Sequence, residues 1–181
     1  ITNRRLWIRP QVGKLIPVDE YKTNRHLESY FAIPGIGAVL LLINIRLSPP
    51  DFAYVINHAE AKYIIVDETL IPIAEGIANQ CKTIKGYIIL TDRPLSEIKT
   101  SLSPVYSYET LLKEAAPEIR WPVLNERSAY GACYTTGTTG RPKGVYYSHR
   151  NVYLHAMTIG NNAEMNSRDC FYQLVPMFHA L

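Results

Sequence analysis

Apolar positions along this chain alternate between two spacings, one helical and one extended. From Asn24 to Ile33, Leu27, Tyr30 and Phe31 fall on one helical face; Pro34 and Gly35 then disturb the pattern before an extended apolar run, Val39 to Ile45. In "SPPDFAYVINHAE", Ser48 is a natural N-cap and Pro49 suits the first helical position. Phe52, Val55, Ile56 and Ala59 then repeat as one buried stripe. Two short β-branched runs, "KYIIVD" (Lys62 to Asp67) and "GYIILTD" (Gly86 to Asp92), are apolar on both faces, as strands inside a covered parallel sheet should be. Between them Leu70, Ile73, Ala74, Ile77 and Ala78 predict a helix.

From Arg93 to Ser107 the composition turns to Pro, Ser and Thr and predicts a loop, followed by a short helix from Tyr108 to Glu114. Ala129 to Tyr134 reads as a strand and Val145 to Ser148 as another. A helix from about Asn151 to Ile159 and a last strand, Phe171 to Val175, complete the pattern. Alternating strands and helices with two-sided apolar strands predict an α/β fold, a mostly parallel sheet with helices on both faces. Ligands of such sheets sit beyond the carboxyl ends of the strands.

Composition narrows the function classes. With 19 Lys and Arg against 16 Asp and Glu, the net charge of +3 gives no global electrostatic case for nucleic acid or an anionic membrane. The most apolar window, Ala32 to Ile43, contains Pro34, Gly35 and Gly37 and is far shorter than the roughly 20 residues of a membrane span. No apolar targeting core opens the sequence, so a cytoplasmic location is expected. The three cysteines, Cys81, Cys133 and Cys170, follow neither a metal-site nor a disulfide spacing and predict free thiols.

The candidate chemistry lies at "YTTGTTGRPKGV", Tyr134 to Val145, directly after a predicted strand. Four threonines, three glycines and one lysine in this run supply hydroxyls, accessible amides and a fixed positive charge, the means of holding a multiply charged anion such as phosphate. Neither the Walker A spacing nor the dinucleotide GxGxxG pattern fits. Because "VYYSH" after the loop reads as strand, no helix N-terminus is available to the phosphates. Donors must then come from the loop itself: Thr135, Thr136, Thr138 and Thr139 through hydroxyls, Gly137, Gly140 and Gly144 through close backbone approach, and Lys143 as a point charge. His26 and His58 lie on amphipathic helices and read as surface or interface residues. His149 has a packing role at a strand end as much as a ligand role, and Arg141 reads as solvated.

The "YTTGTTGRPKG" run resembles the phosphate-loop signature of the AMP-binding, acyl-adenylate-forming superfamily, and "PMFHA" (Pro176 to Ala180) resembles that family's next motif. The stretch from Asn24 to Glu60 is similar to the corresponding segment of medium- and long-chain fatty acyl-CoA ligases. The likeness covers roughly Lys22 to Leu181, with Gly13 to Asp19 a candidate for the family's early strand. Residues 1–181 are therefore expected to be a partial N-terminal AMP-binding domain, a fragment inactive by itself.

The resemblance implies ATP-dependent conversion of a fatty acid to acyl-AMP, then transfer to coenzyme A. Lys143 would neutralise the pyrophosphate leaving group, and Thr135 would bear on Mg2+. Thr136, Gly137, Thr138, Thr139, Gly140 and Gly144 would surround the phosphates, and His179 would stand between nucleotide and acyl group. Partners would be the small-molecule substrates, with no nucleic acid and no membrane span; a homodimer is compatible. Two other readings stay open: adenylation of a different acid, of the aryl-CoA ligase, luciferase-like or peptide-synthetase type, and a non-catalytic nucleotide-binding module.

Overall fold

The structure is a computed structural model that describes residues 14–18, 24–135, 140–170 and 177. Its centre is a two-sided sheet. In chain order the elements are β1 (Lys14–Val18), α1 (Asn24–Gly35), β2 (Val39–Leu42), α2 (Pro49–His58), β3 (Tyr63–Asp67), α3 (Ile71–Ala78) and β4 (Gly86–Leu90). Then follow β5 (Val105–Ser107), α4 (Tyr108–Glu114), β6 (Ala129–Thr135), β7 (Lys143–Ser148) and α5 (His149–Asn162). The strands run in the order β5-β4-β3-β1-β2-β6-β7. The pairs from β5 through to β6 are parallel, and β6 with β7 is antiparallel.

Strand alternation sorts the core into two layers. Val39, Leu41, Ile64, Val66, Tyr87, Ile89 and Ala132 pack with Phe52, Val55 and Ile56 of α2 and Ile71, Ala74 and Ile77 of α3. Leu40, Leu42, Ile65, Ile88 and Leu90 pack with Ile33 of α1 and Tyr108 of α4. Both faces are thus covered by helices, as the two-sided strands predict. Ser48 caps α2 by accepting from the Asp51 backbone N–H at 3.4 Å, with Pro49 at the first position. The early strand expected between Gly13 and Asp19 is β1, which pairs with both β2 and β3 at the centre of the sheet.

Three expectations change. The segment read wholly as loop, 93–107, contains a turn of 3-10 helix (Leu95–Glu97) and the edge strand β5, whose three residues are too few to show a period. The helix expected to start near Asn151 starts at His149, because Ser148 is its N-cap and accepts from the Asn151 N–H at 3.1 Å. Helix α1 turns a different face inward: Leu27 and Phe31 are exposed, whereas His26, Ser29 and Ile33 are buried. Polar contacts set that rotation. Arg25 pairs with Asp92 and with Glu109, and Glu28 accepts from the Tyr108 hydroxyl at 2.5 Å. His26 is therefore a core residue stacked on Tyr30, not a surface one.

The expected last strand, Phe171 to Val175, lies outside the described residues. No helix among the described residues is long and apolar enough to cross a membrane. All three cysteines are free thiols.

Candidate functional site

Strands β2 and β6 lie side by side and parallel, yet the chain leaves their carboxyl ends in opposite directions. After β2 it crosses through α2 to β3, and after β6 it turns to β7 at the sheet edge. In open α/β sheets, divergence of this kind marks the usual ligand position, beyond the carboxyl ends of the strands. The threonine-glycine run leaves β6 there, so the strand-to-strand passage read from the sequence is present as an antiparallel pair.

Thr135 ends β6 and pairs directly with Lys143, the first residue of β7. Both are exposed. Cross-strand partners share a sheet face, so one hydroxyl and one ammonium stand side by side at the mouth of the hairpin. This pair offers a polyphosphate a donor and a charge without the cost of a buried cation. Thr136, Gly137, Thr138 and Thr139 lie outside the described residues, as does His179. Gly140 opens onto free space, with nothing within 4 Å of where a Cβ would stand.

Gly144 behaves differently. It pairs with Tyr134, and a Cβ on it would come within 2.9 Å of that ring's Cζ. The missing side chain makes room for an aromatic ring on the sheet face opposite Thr135 and Lys143. Burial, then neighbouring Tyr146 and Tyr54, push the Tyr134 phenol far above its ordinary pKa, so it stays protonated. Its hydroxyl shares a 2.8 Å hydrogen bond with Nδ1 of His58, the last residue of α2. Beside it, the Arg141 guanidinium lies 5.2 Å over the Tyr54 ring of the same helix. Arg141 is exposed as expected, yet it is seated on an aromatic face.

On the other face, α1 reaches both the strand and the second motif. The Tyr130 hydroxyl donates to the Tyr30 carbonyl at 2.5 Å, and the Tyr30 hydroxyl donates to the Met177 carbonyl. Met177 lies two residues before His179 in "PMFHA". His149 opens α5 and meets the Tyr130 ring edge-on at 5.3 Å, a packing role. Neither Tyr134, Tyr54 nor Tyr30 was singled out from the sequence as a site residue, because aromatics at strand and helix spacing read as core.

Among the described residues no group of three or more His, Cys, Asp or Glu could hold a metal ion. The Thr135 hydroxyl is a suitable hard-oxygen ligand for Mg2+, to be completed by phosphate and carboxylate oxygens. A cavity of about 380 Å³ does occur elsewhere, beyond the carboxyl ends of β3 and β4, lined by Glu68, Glu75, Arg93 and Lys99. Its charges are partly satisfied locally: Arg93 donates to Glu68 at 3.3 Å, and Glu75 accepts from the Ser101 N–H at 2.6 Å.

Comparison with known proteins bears on the family and the fold. The chain is 40% identical over 170 residues to a long-chain-fatty-acid–CoA ligase of Thermus thermophilus, covering 93% of this chain and 30% of that protein. It is 37% identical over 163 residues to a 3-methylmercaptopropionyl-CoA ligase of Ruegeria pomeroyi, covering 88% of this chain and 30% of that one. The fold superposes on the crystal structure of ATP-bound MatB from Rhodopseudomonas palustris with a TM-score of 0.70 at 24% identity, covering 93% of this chain and 31% of that one. The chain thus spans less than a third of the length of the curated relatives it matches. Residues 18–181 match the model of the AMP-binding enzyme family, and the chain belongs to that family.

Proposed function

We propose that the polypeptide containing these residues uses ATP to activate a carboxylic acid as its acyl-adenylate and then passes the acyl group to coenzyme A, with a fatty acid as the favoured substrate. The observation that supports this most is the Thr135–Lys143 pair at the carboxyl end of β6. In the first step a carboxylate oxygen attacks the α-phosphorus of ATP, the bond to the bridging oxygen breaks, and pyrophosphate leaves. In the second, the thiol sulfur attacks the acyl carbon and AMP departs.

Negative charge collects on the leaving pyrophosphate, so a cation already in place lowers the barrier without reorganisation. Lys143 supplies that charge from a strand rather than from a free loop. Thr135, Thr136, Gly137, Thr138, Thr139 and Gly140 hold the phosphates, and Gly144 keeps the second strand close behind them. Bound Mg2+ would screen the phosphate oxygens, with the Thr135 hydroxyl among its contacts. His179 would act between nucleotide and acyl group. A homodimer and a cytoplasmic site of action belong to the same reading.

The choice of acid has a competitor. Similarity to the 3-methylmercaptopropionyl-CoA ligase, at 37%, is nearly that to the fatty acid ligase, so a short sulfur-containing or other small acid is the second candidate. ATP–pyrophosphate exchange by the whole polypeptide, measured over a panel of medium-chain, long-chain and short carboxylic acids, separates the two. Lys143→Ala is expected to lower exchange by about 100-fold, the scale of removing one preorganised stabilising donor. Exchange within a few-fold of wild type in that variant would sink the role given to Lys143.

A further inference from the structure

Thr135 and Lys143 form the last rung of the β6–β7 ladder, and among the described residues β7 has β6 as its one strand neighbour. Pairing of β6 with β2 ends at Cys133, so the rungs Tyr134–Gly144 and Thr135–Lys143 project beyond it as a two-stranded ladder, which is marginal by itself. Something beyond that ladder must hold the hydroxyl and the ammonium in register, because a displacement of about 1 Å at a reacting site can cost about 100-fold in rate. The brace lies on the opposite face, at the carboxyl end of α2.

Three contacts converge there. Tyr134, one residue before Thr135, shares its hydroxyl with His58 Nδ1 at 2.8 Å. The same ring lies over Gly144, one residue after Lys143, so a single side chain spans both strands at the rung next to the functional pair. Arg141, on the returning arm of the hairpin, stacks at 5.2 Å over Tyr54, whose ring in turn meets His58 at 5.3 Å. Tyr54 and Tyr134 both pack against the core layer built on α2, which ties the brace to buried core. His58 thus links a rigid helix to the root of the phosphate-holding hairpin.

We propose that His58 is a positioning residue for nucleotide binding, acting through Tyr134 to hold Thr135 and Lys143 against the phosphates of ATP. The proposal rests on the reading of the hairpin as an ATP site. It gives a purpose to a histidine at the solvent-facing end of α2, and it explains why an aromatic ring, a glycine and an arginine occur together around the functional pair.

The test is the dissociation constant of ATP with Mg2+ for the whole polypeptide, read by calorimetry together with the thermal midpoint. Tyr134→Phe removes the hydroxyl and keeps the ring over Gly144; His58→Ala removes its partner. Each is expected to weaken ATP binding roughly fivefold, the scale of one net hydrogen bond, with little change in thermal midpoint. The double variant should be no weaker than the weaker single, and His58→Asn, which keeps a hydrogen-bonding group, should recover most of the affinity. Unchanged ATP affinity in both single variants, or a fall in thermal midpoint without one in affinity, would reduce the contact to packing and overturn the proposal. Multiplying losses in the double variant would overturn the shared bond. Lys143→Ala is the reference: if it too leaves ATP binding intact, the ATP-site reading fails, whereas a loss confined to Lys143→Ala condemns the positioning role alone.

Discussion

Gly144 carries a test that needs no ligand. A methyl group there would stand 2.9 Å from Tyr134 Cζ and 3.1 Å from its hydroxyl oxygen. A free tyrosine would swing aside, but this ring packs on the α2 layer and is tied to His58. Gly144→Ala is therefore expected to cost about 1–3 kcal/mol, as overpacking does, seen as a lower urea midpoint. Adding Tyr134→Ala should make the Gly144 change nearly neutral; a full extra cost in that background would show the ring is not the obstacle. That Thr135 and Lys143 flank a turn between two paired strands was legible in the sequence, from a strand-loop-strand pattern. The brace was not, because His58 and Tyr134 are 76 residues apart and no local period connects them. A histidine at the end of an amphipathic helix looks like any solvated one until the tertiary fold brings a phenol to it.

At the scale of elements, the apolar period located the helices but did not always choose their buried face. Along α2 and its C-cap the stripe of Phe52, Val55, Ile56 and Ala59 is fully buried, and the polar contacts of Asn57 and His58 lie off that stripe. In α1 the expected stripe loses: Leu27 is 52% exposed and Phe31 68%, while Ile33 is 0% exposed. Arg25 and Glu28 reach partners around β4 and α4, and satisfying them rotates the helix. Leu27→Gln is accordingly expected to change stability by no more than about 0.5 kcal/mol, whereas Ile33→Ala should cost roughly 2–5 kcal/mol. Chemical denaturation of the two variants side by side reads the difference directly, and equal costs would mean that α1 is turned the other way. Strand β5 escaped notice for a simpler reason. Three residues at a sheet edge carry no readable alternation, and the neighbouring Pro and Ser residues signal a loop.

Across the whole molecule, the two-layer core follows from strands whose odd and even residues are both apolar, so the fold class was legible while the burial of His26 was not. His26 of α1 is buried at 1% exposure and stacked on Tyr30, and burial pushes its pKa down to about 4. In the unfolded chain a histidine titrates near about 6.5. Between these two values the unfolded state binds a proton that the folded state refuses, so stability must fall as pH drops through this window. The contribution is fully present above pH of about 6.5 and is lost by about pH 4, below which both states are protonated and the slope from this group vanishes. Its size is up to roughly 3 kcal/mol, taking 1.36 kcal/mol per pH unit. His149, whose pKa burial also lowers, acts in the same direction. Glu75, held below the usual carboxylate range by the Ser101 backbone N–H and the Thr100 hydroxyl, contributes a loss only at still lower pH. Urea unfolding between about pH 7.5 and pH 4 should thus show a steep decline in wild type. His26→Gln, whatever its own stability, should flatten that decline by the share assigned to His26, and an unaltered slope in the variant would place the titrating group elsewhere.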